Sequence, residues 1–279
     1  AMGVADCEGG SPPFHDVRSR VLLDDLCNRI KSESSWEINF QSLSEENATA
    51  RRQLMLATQI LKHIDCDQPI RLLIAECEKP ATIMTALYLA HKFGIADRLD
   101  ISPLFETTFG LEHGVDLIEQ LLGHEVFCAY VRQRGRIAIE TGFSDAGRFI
   151  GQVSANLAIE RLQLKIAGLI KAKLNADVDF LIFNTHGESL GRGCAGPTIV
   201  DRQNFILTPY VRAHCKSIGV AIHHESSFQG GDGYRMFGNE NLALSTIYNL
   251  FAAEIKPPTE AWMKDGFYKN HDYSLGMFL

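Results

Sequence analysis

The stretch RIAIETGFSDAG at residues 136–147 contains the two features that decide the fold. Its first part, 136–140, has the short apolar run of a buried strand, and its second part combines two glycines with the carboxylate of Asp145. A strand followed at once by a glycine-rich acidic segment is typical of the sites of α/β proteins, which lie just beyond the strands. We therefore predict a strand over Arg136–Glu140 and a loop over Gly142–Gly147.

The same succession of strand and helix patterns recurs on both sides of this stretch. The other predicted strands are Ile70–Ala75, Leu99–Phe105, Val178–Phe183 and Val220–His223. The predicted helices that follow or separate them are Pro80–Phe93, Leu111–Leu122, Phe149–Leu174 and Asn239–Glu254. Repeated strand–helix units require parallel strands joined by crossover helices, so the predicted class is α/β.

Unusual residues are concentrated directly after the predicted strands. The four groups are Glu106–Thr107, Gly142–Gly147, Asn184–Gly196 and Glu225–Gly233. The carboxyl ends of parallel strands meet at one edge of the sheet, where the sites of such folds lie. We therefore expect these four groups to converge there.

Composition restricts the classes of function that the chain can have. It has 279 residues, of which 46% are hydrophobic and 22% charged, with a formal net charge of -7. An acidic balance argues against a general nucleic-acid or membrane-surface binder, and no apolar run is long enough for a membrane span. Seven cysteines without a C-x-x-C pair suggest neither a disulfide framework nor a zinc site, and they favour a cytoplasmic setting. Residues 1–13 are predicted to form a disordered tail.

Two carboxylates at the mouths of different strands, Glu106 and Asp145, are candidate metal ligands. Oxygen donors of this kind suit a hard divalent cation such as magnesium. A solvated or helix-capping role remains open for each of them when it is considered alone. Arg18, beside a possible short strand, and Arg148, close behind Asp145, are either site cations or solvated surface arginines.

The segment His186–Gly193 is the richest candidate for anion binding. Closely spaced glycines can turn backbone N–H groups inward, and Arg192 adds a planar guanidinium for a phosphate or carboxylate. A plain surface loop is the alternative. The same segment contains the G-x-S-x-G form of a hydrolase elbow at 187–191, but the glycines and proline that follow oppose the helix which that motif needs. His223 and His224 lack a spaced third ligand, so we interpret them as polar residues at a strand end.

Taken in order, these segments resemble the phosphoenolpyruvate carboxylase family. The stretch 102–107, SPLFET, is similar to the family's P-L-F-E-T, and 142–145, GFSD, is similar to its G-Y-S-D. Residues 183–193 resemble its glycine-rich F-H-G-R-G-G-S-V-G-R-G loop. Residues 227–230, followed by Phe237 and Gly238, resemble its T-x-Q-G-E segment and the F-G beyond it, and 16–18 fits a D-V-R element.

The resemblance implies a fold and a reaction. It implies a partial or compact TIM-like (β/α) barrel with surrounding helices, formed as a single domain over 14–279. The implied reaction converts phosphoenolpyruvate and bicarbonate to oxaloacetate and phosphate with Mg2+ or Mn2+. Bicarbonate attacks phosphorus to give carboxyphosphate and an enolate, and the carbon dioxide that is then released is captured at carbon.

The resemblance also assigns roles to individual residues. Metal ligands are expected at Glu106 and Asp145. Substrate binding is expected from Arg18, Arg192 and Gln229, while Arg148 keeps a positive charge where the family has a lysine. Catalytic roles are therefore expected at Arg192, Arg148, His186 and Asn184.

Two departures from the family pattern leave the activity open. Asn184 replaces a loop histidine and cannot accept and return a proton, and His186 replaces an arginine. The alternatives to carboxylation are phosphoenolpyruvate hydrolysis to pyruvate and a non-catalytic phosphoenolpyruvate-binding or regulatory protein. The family's enzymes are longer, so the chain is expected to be either a piece of one or a reduced member. The family generally forms homo-oligomers, and no nucleic-acid or membrane partner is expected.

Overall fold

The computed structural model describes residues 17–67, 70–175, 177–185, 199–227 and 230–255. The chain divides into two compact units. Two of the boundaries between them fall inside a strand and a helix, so these two elements have residues in both units. The first unit comprises Ala1–Pro103 and Asp116–Gly135, and the second comprises Leu104–Val115 and Arg136–Leu279. The predicted tail 1–13 lies outside the described residues.

The first unit contains the helices that precede the sheet, the first strand and part of the second. Its complete elements are α1 (Val17–Ser32), α2 (Phe40–Glu45), α3 (Thr49–His63), β1 (Ile70–Ile74), α4 (Pro80–Lys92) and α6 (Glu125–Arg134). Strand β2 (Leu99–Phe105) and helix α5 (Thr108–Leu122) each have residues in both units. β1 pairs in parallel with β2, from Ile70 opposite Leu99 to Ile74 opposite Pro103.

Two charged side chains of the first unit, Asp100 and Lys92, are buried and hydrogen-bonded. Asp100, in β2, is 1% exposed and accepts a hydrogen bond from the Arg134 Nε at 2.7 Å, and Arg71 contacts its other oxygen. Lys92 is 5% exposed, and its Nζ donates to the Ser34 carbonyl at 2.6 Å. Such charges are tolerated inside a protein only when they are paired and hydrogen-bonded.

The second unit contains the rest of the parallel sheet and the helices that follow its strands. Its complete elements are β3 (Arg136–Thr141), α7 (Phe143–Ile150), α8 (Gln152–Leu174), β4 (Asp179–Thr185), α9 (Ile199–Ile206), α10 (Pro209–Ile218), β5 (Ile222–Ser227), α11 (Gly230–Phe237) and α12 (Glu240–Ile255). Every pairing is parallel: Phe105 lies opposite Thr141, Glu140 opposite Phe183, and Asn184 opposite Ser226.

The strand order β1-β2-β3-β4-β5 follows the chain order, so each strand lies beside the next one along the sequence. Parallel neighbours joined by helices confirm the predicted α/β class and are the arrangement of a partial TIM-like barrel. Ile139, Phe180 and Ile182 are fully buried, as strands covered by helices require. Among the described residues, no helix is long and apolar enough to cross a membrane.

Four of the five strands lie within one or two residues of their predicted bounds, but several neighbouring segments differ. Gly142–Gly147 was predicted as a loop, and this is wrong because α7 begins at Phe143. The predicted helix Phe149–Leu174 is divided at Gly151, whose φ of +84° interrupts helical geometry. The possible short strand beside Arg18 is also wrong, since α1 begins at Val17.

Two strands extend further than predicted, because their carboxyl-terminal residues are polar. Asn184 was assigned to a loop, but β4 continues through Thr185. The fifth strand was predicted at Val220–His223, whereas β5 spans Ile222–Ser227 and includes Glu225. Both misplaced ends are polar, so the apolar pattern stops before the backbone pairing does.

Candidate active site

The ends of β2 and β3 bring two of the predicted site segments together inside the second unit. Phe105 and Thr141 are register partners, and the Gly142 N–H donates to the Phe105 carbonyl at 3.1 Å. The residues that follow, Glu106 on one strand and Gly142 on the other, therefore lie side by side. This confirms the expected convergence for these two segments.

Gly142 allows an unusually close approach of the two segments. A Cβ atom at this position would lie 2.5 Å from the Glu106 Cβ and 3.3 Å from its Oε2. Real Cβ atoms do not approach other carbon atoms this closely, so only glycine fits without displacing Glu106. The half-buried Glu106 carboxylate is thus held against the start of the helix that carries Asp145.

Asp145 lies in the first turn of α7, where a negative charge is stabilised by the helix dipole. Its Oδ1 accepts a hydrogen bond from the Arg148 Nη1 at 2.7 Å, three residues further along the helix. The two side chains are 37% and 61% exposed, respectively. This carboxylate and this guanidinium are therefore near neighbours that remain accessible to a ligand.

Asn184 is placed differently from the other candidates because its side chain is fully buried. Its Oδ1 lies 2.5 Å from the His224 Nε2 and accepts a hydrogen bond from the Ser226 hydroxyl at 3.0 Å. Its Nδ2 has no hydrogen-bond partner among the residues that the structure describes. Asn184 is therefore tied to β5 and does not project from a loop.

Strand alternation separates the candidate residues between the two faces of the sheet. Side chains of register partners point to the same face, and successive residues point to opposite faces. Phe105, Thr141, Asn184 and Ser226 form one row, and Leu104, Glu140, Phe183 and Glu225 form a row on the other face. The Gly142 position contacts Leu104 and Glu106 together, so Glu106 belongs with the second row. Glu106 and Asn184 thus share an edge but not a face.

The remaining predicted site residues are placed only in part. His186, Arg192 and Gln229 lie outside the described residues, as does the segment with the G-x-S-x-G form at 187–191. Arg18 is in α1, which belongs to the first unit, and its side chain is not among those described. Their predicted roles stay predictions.

Sequence reasoning missed His224 and Ser226. His223 and His224 were interpreted together as polar strand-end residues, but the strand pleat sends them to opposite faces. The exposed His223 lies 3.0 Å from Asp179 through its Nε2, whereas His224 contacts Asn184. A contact across 40 residues of sequence leaves no local signal. Alternation within β5 would have separated the two histidines, had the strand been predicted to its true end.

Glu106 and Asp145 are the two carboxylates at this edge that could hold a hard divalent cation. Magnesium is commonly bound by one or two protein carboxylates, with water and substrate oxygens completing its coordination. Within the described parts of the chain, no group of three or more histidine, cysteine or acidic side chains could hold a metal ion. Carboxylate oxygens are ligands of the kind that Mg2+ and Mn2+ take, whereas zinc is usually held by nitrogen or sulfur ligands.

Parallel strands joined by helices, with accessible acidic and basic side chains beyond their carboxyl ends, define an α/β protein of the class whose sites lie at that edge. A model of one family, described as phosphoenolpyruvate carboxylase, matches residues 19–200, well over half of the chain. The chain therefore belongs to the phosphoenolpyruvate carboxylase family.

Individual relatives agree with this assignment. Phosphoenolpyruvate carboxylase 3 of Sorghum bicolor is 26% identical over 200 residues, which are 72% of this chain and 19% of the sorghum protein. The phosphoenolpyruvate carboxylase of Thermus sp. (strain 71) is 30% identical over 42% of this chain and 14% of its own length. That of Xanthomonas campestris pv. campestris (strain 8004) is 31% identical over 43% of this chain and 14% of its own. The chain thus matches less than a fifth of the length of each of these relatives.

Proposed function

We propose that this chain acts as a phosphoenolpyruvate carboxylase-like lyase, which forms oxaloacetate and phosphate from phosphoenolpyruvate and bicarbonate. The observation that carries the proposal is the close approach of Glu106 to Gly142, at the start of the helix with Asp145 and Arg148. This arrangement lies inside the segment that matches the carboxylase family. It joins two oxygen donors to a fixed positive charge, a combination suited to a metal-bound phosphorylated acid.

Glu106 and Asp145 would hold Mg2+ or Mn2+. When bound, such an ion neutralises negative charge on phosphate and enolate oxygens. Asp145 already accepts one hydrogen bond through Oδ1, from Arg148, and this contact favours one orientation of the carboxylate before any ligand arrives. Pre-set orientation of this kind lowers the reorganisation that binding requires.

The arginines would bind the substrate's two anionic groups. Arg148 lies at the edge with Asp145, and its planar guanidinium matches the geometry of phosphate and carboxylate oxygens. Arg192 and Arg18 are proposed to bind phosphate or carboxylate oxygens, and Gln229 to contribute an amide. His186 is proposed as a catalytic residue, because it is the histidine nearest in sequence to the end of β4.

Asn184 receives a different proposed role from the one that the resemblance implies. Full burial and two hydrogen bonds from β5 favour a supporting role over contact with the reacting atoms. An amide also has no proton to exchange near neutral pH. This observation favours one second candidate function, the hydrolysis of phosphoenolpyruvate to pyruvate, in which the enolate is protonated before carbon dioxide is captured.

The wider setting is proposed from the family. We place the chain in the cytoplasm, as a homo-oligomer whose residues 14–279 form one barrel domain. Neither a nucleic-acid nor a membrane partner is proposed. Sedimentation of the purified chain would test the oligomeric state, since a monomer at micromolar concentration would contradict it.

A coupled assay for oxaloacetate and pyruvate, with phosphoenolpyruvate, bicarbonate and Mg2+, tests the proposal. Oxaloacetate is expected, and Glu106→Gln should lower its formation by about 100-fold or more because a charge-neutralising ligand is lost. The matched control is Glu112→Gln, in α5, whose side chain is 52% exposed. Pyruvate alone would support the hydrolysis candidate, while full activity in Glu106→Gln would sink the proposed metal site.

A further inference from the structure

Three side chains at the ends of β4 and β5 form a connected cluster, which we call the Asn184 cluster: Asn184, which is fully buried, and His224 and Ser226, which are half-buried. The Asn184 Oδ1 is 2.5 Å from the His224 Nε2 and 3.0 Å from the Ser226 Oγ. The last two atoms are 3.3 Å apart. The two β5 residues therefore meet at a single amide oxygen of β4.

The Asn184 Oδ1 is the acceptor that the two β5 side chains share. The Ser226 hydroxyl donates to the Asn184 Oδ1, which is an acceptor only. With the Asn184 Oδ1 as acceptor, the His224 Nε2 beside it donates in the tautomer that carries its proton on Nε2. That tautomer gives the amide oxygen two donors from β5.

Because Asn184 is buried, its hydrogen bonds contribute to the stability of the strand end. Asn184 is fully buried, and leaving a buried acceptor without its donors destabilises a protein far more than losing an exposed hydrogen bond. The Asn184 Nδ2 already lacks a hydrogen-bond partner within the described residues. Removing the two β5 donors would leave the amide oxygen in the same condition.

The cluster lies near the carboxyl end of β4, on one particular face of the sheet. Asn184 is the penultimate residue of β4 and lies in the row of Phe105, on the face opposite Glu106. Phe105 packs against the helices of the second unit, because a Cβ on Gly114 of α5 would meet its ring at 2.9 Å and Leu162 of α8 at 3.0 Å. The cluster is therefore on the helix-covered side, one residue before the end of the strand.

We propose that His224 and Ser226 are positioning residues that act through Asn184 to fix the carboxyl end of β4, the strand that leads into residue 186. The cluster holds the last residues of β4 in place, and none of its three members contacts the reacting atoms. The part of this inference that concerns substrate rests on the proposed function. The part that concerns the strand end does not.

The strand-end role is tested by hydrogen exchange on the whole chain. His224→Phe removes the donor while keeping a ring, and it should speed amide exchange at 183–185 by about 10-fold or more, with little change at 70–74. His224→Gln keeps an N–H at a similar reach and should restore most of the protection. Ser226→Ala is the milder variant and should show a smaller change in the same direction. Equal protection in His224→Phe and the unaltered chain would overturn the proposal.

A double-mutant cycle tests the link to the active site. His224→Phe, Asn184→Ala and their combination should each raise the KM for phosphoenolpyruvate or lower kcat by about 10-fold, with no further loss in the combination. His223→Gln, an exposed neighbour on the other face, serves as the control and should leave both constants unchanged. Additive losses would mean that Asn184 acts on substrate directly, which would overturn the positioning role.

The two experiments separate the failure of each proposal. An unaltered chain that neither binds nor converts phosphoenolpyruvate would reject the carboxylase proposal, while hydrogen exchange would still report on the strand end. A loosened strand end with unchanged kinetic constants would reject the positioning role alone. Loosening together with the non-additive kinetic loss supports both.

Discussion

Aspartate–arginine pairs occur in both units of this protein, but in opposite settings. In the first unit, Asp100 is 1% exposed and contacts Arg134, 9% exposed, and Arg71. In the second unit, Asp145 is 37% exposed and contacts Arg148, which is 61% exposed. The side chains around Asp100 are buried and paired with one another, whereas those of Asp145 and Arg148 are exposed to solvent. Identical residue types therefore serve structure in one unit and are available for ligand binding in the other.

The contrast teaches that exposure, and not the presence of an ion pair, separates a structural pair from a candidate site. A buried aspartate whose oxygens are both paired with arginines is out of reach of a ligand, so its role is to hold its neighbours in place. An accessible aspartate with one committed oxygen can still bind a ligand. The two sets make different and measurable predictions.

The largest expected effect is on the stability of the first unit. Asp100→Ala would leave two arginines without their buried partner, and we expect a loss of about 3–5 kcal/mol in the free energy of unfolding. Asp145→Ala should change that free energy by at most about 1 kcal/mol, because its ion pair is solvated. Urea unfolding of the two variants measures both values. Equal losses would break the comparison.

A smaller effect is expected from Gly142→Ala, which adds a methyl group against Glu106. Overpacking of this kind usually lowers stability by about 1–3 kcal/mol, and here it should also weaken Mg2+ binding by displacing a proposed ligand. Calorimetric unfolding and Mg2+ titration measure the two consequences.

Gly168→Ala is the matched control for that variant. It lies in α8, with nothing within 4 Å of its added Cβ, and should raise stability by about 0.5–1 kcal/mol through helix propensity. A Gly142→Ala variant that behaved like this control would show that Glu106 is not held by the glycine.

The smallest expected effect concerns a single carboxyl group of the first unit. The Tyr88 hydroxyl donates to the Glu33 Oε2 at 2.9 Å, and this bond and Lys92 lower the pKa of Glu33 below its ordinary value of 4.5. A lowered folded pKa stabilises the protein above the unfolded pKa, and this stabilisation is lost as the pH falls through the folded pKa. Tyr88→Phe should therefore raise the pKa of Glu33 and reduce the acid dependence of stability.

An NMR titration of Glu33 in the unaltered chain and in Tyr88→Phe measures this shift. Tyr248→Phe, at a tyrosine that is 70% exposed in the second unit, should leave the pKa of Glu33 in place. An unchanged pKa in Tyr88→Phe would show that the hydroxyl contributes nothing to the carboxylate.

The sequence predicted most of the sheet because apolar strands leave a local pattern. β2 was predicted at its exact bounds, Leu99–Phe105, since six of its seven residues are buried. The convergence of Glu106 with the segment at Gly142 followed from the parallel arrangement alone. The family resemblance, carried by short segments in the correct order, was confirmed by the match over residues 19–200.

What the sequence could not show depends on polar strand ends and distant contacts. β5 reads IHHESS, which has no apolar period, so its extent was not predicted. Helix α7 contains Gly147 and follows Gly142, and glycine-rich composition predicts a loop there. The burial of Asn184 depends on partners 40 and 42 residues away, and no local rule encodes such a contact.

Gly151 has a consequence for anyone who redesigns this protein. Its φ of +84° and ψ of 154° belong to a backbone region that is essentially restricted to glycine. This single residue joins the short helix carrying Asp145 and Arg148 to the 23-residue helix α8. The direction of the short helix is therefore encoded in the main chain, and a graft of this site onto another scaffold must carry Gly151 with it. Copying the charged side chains alone would reproduce the composition of the site but not the orientation of those side chains.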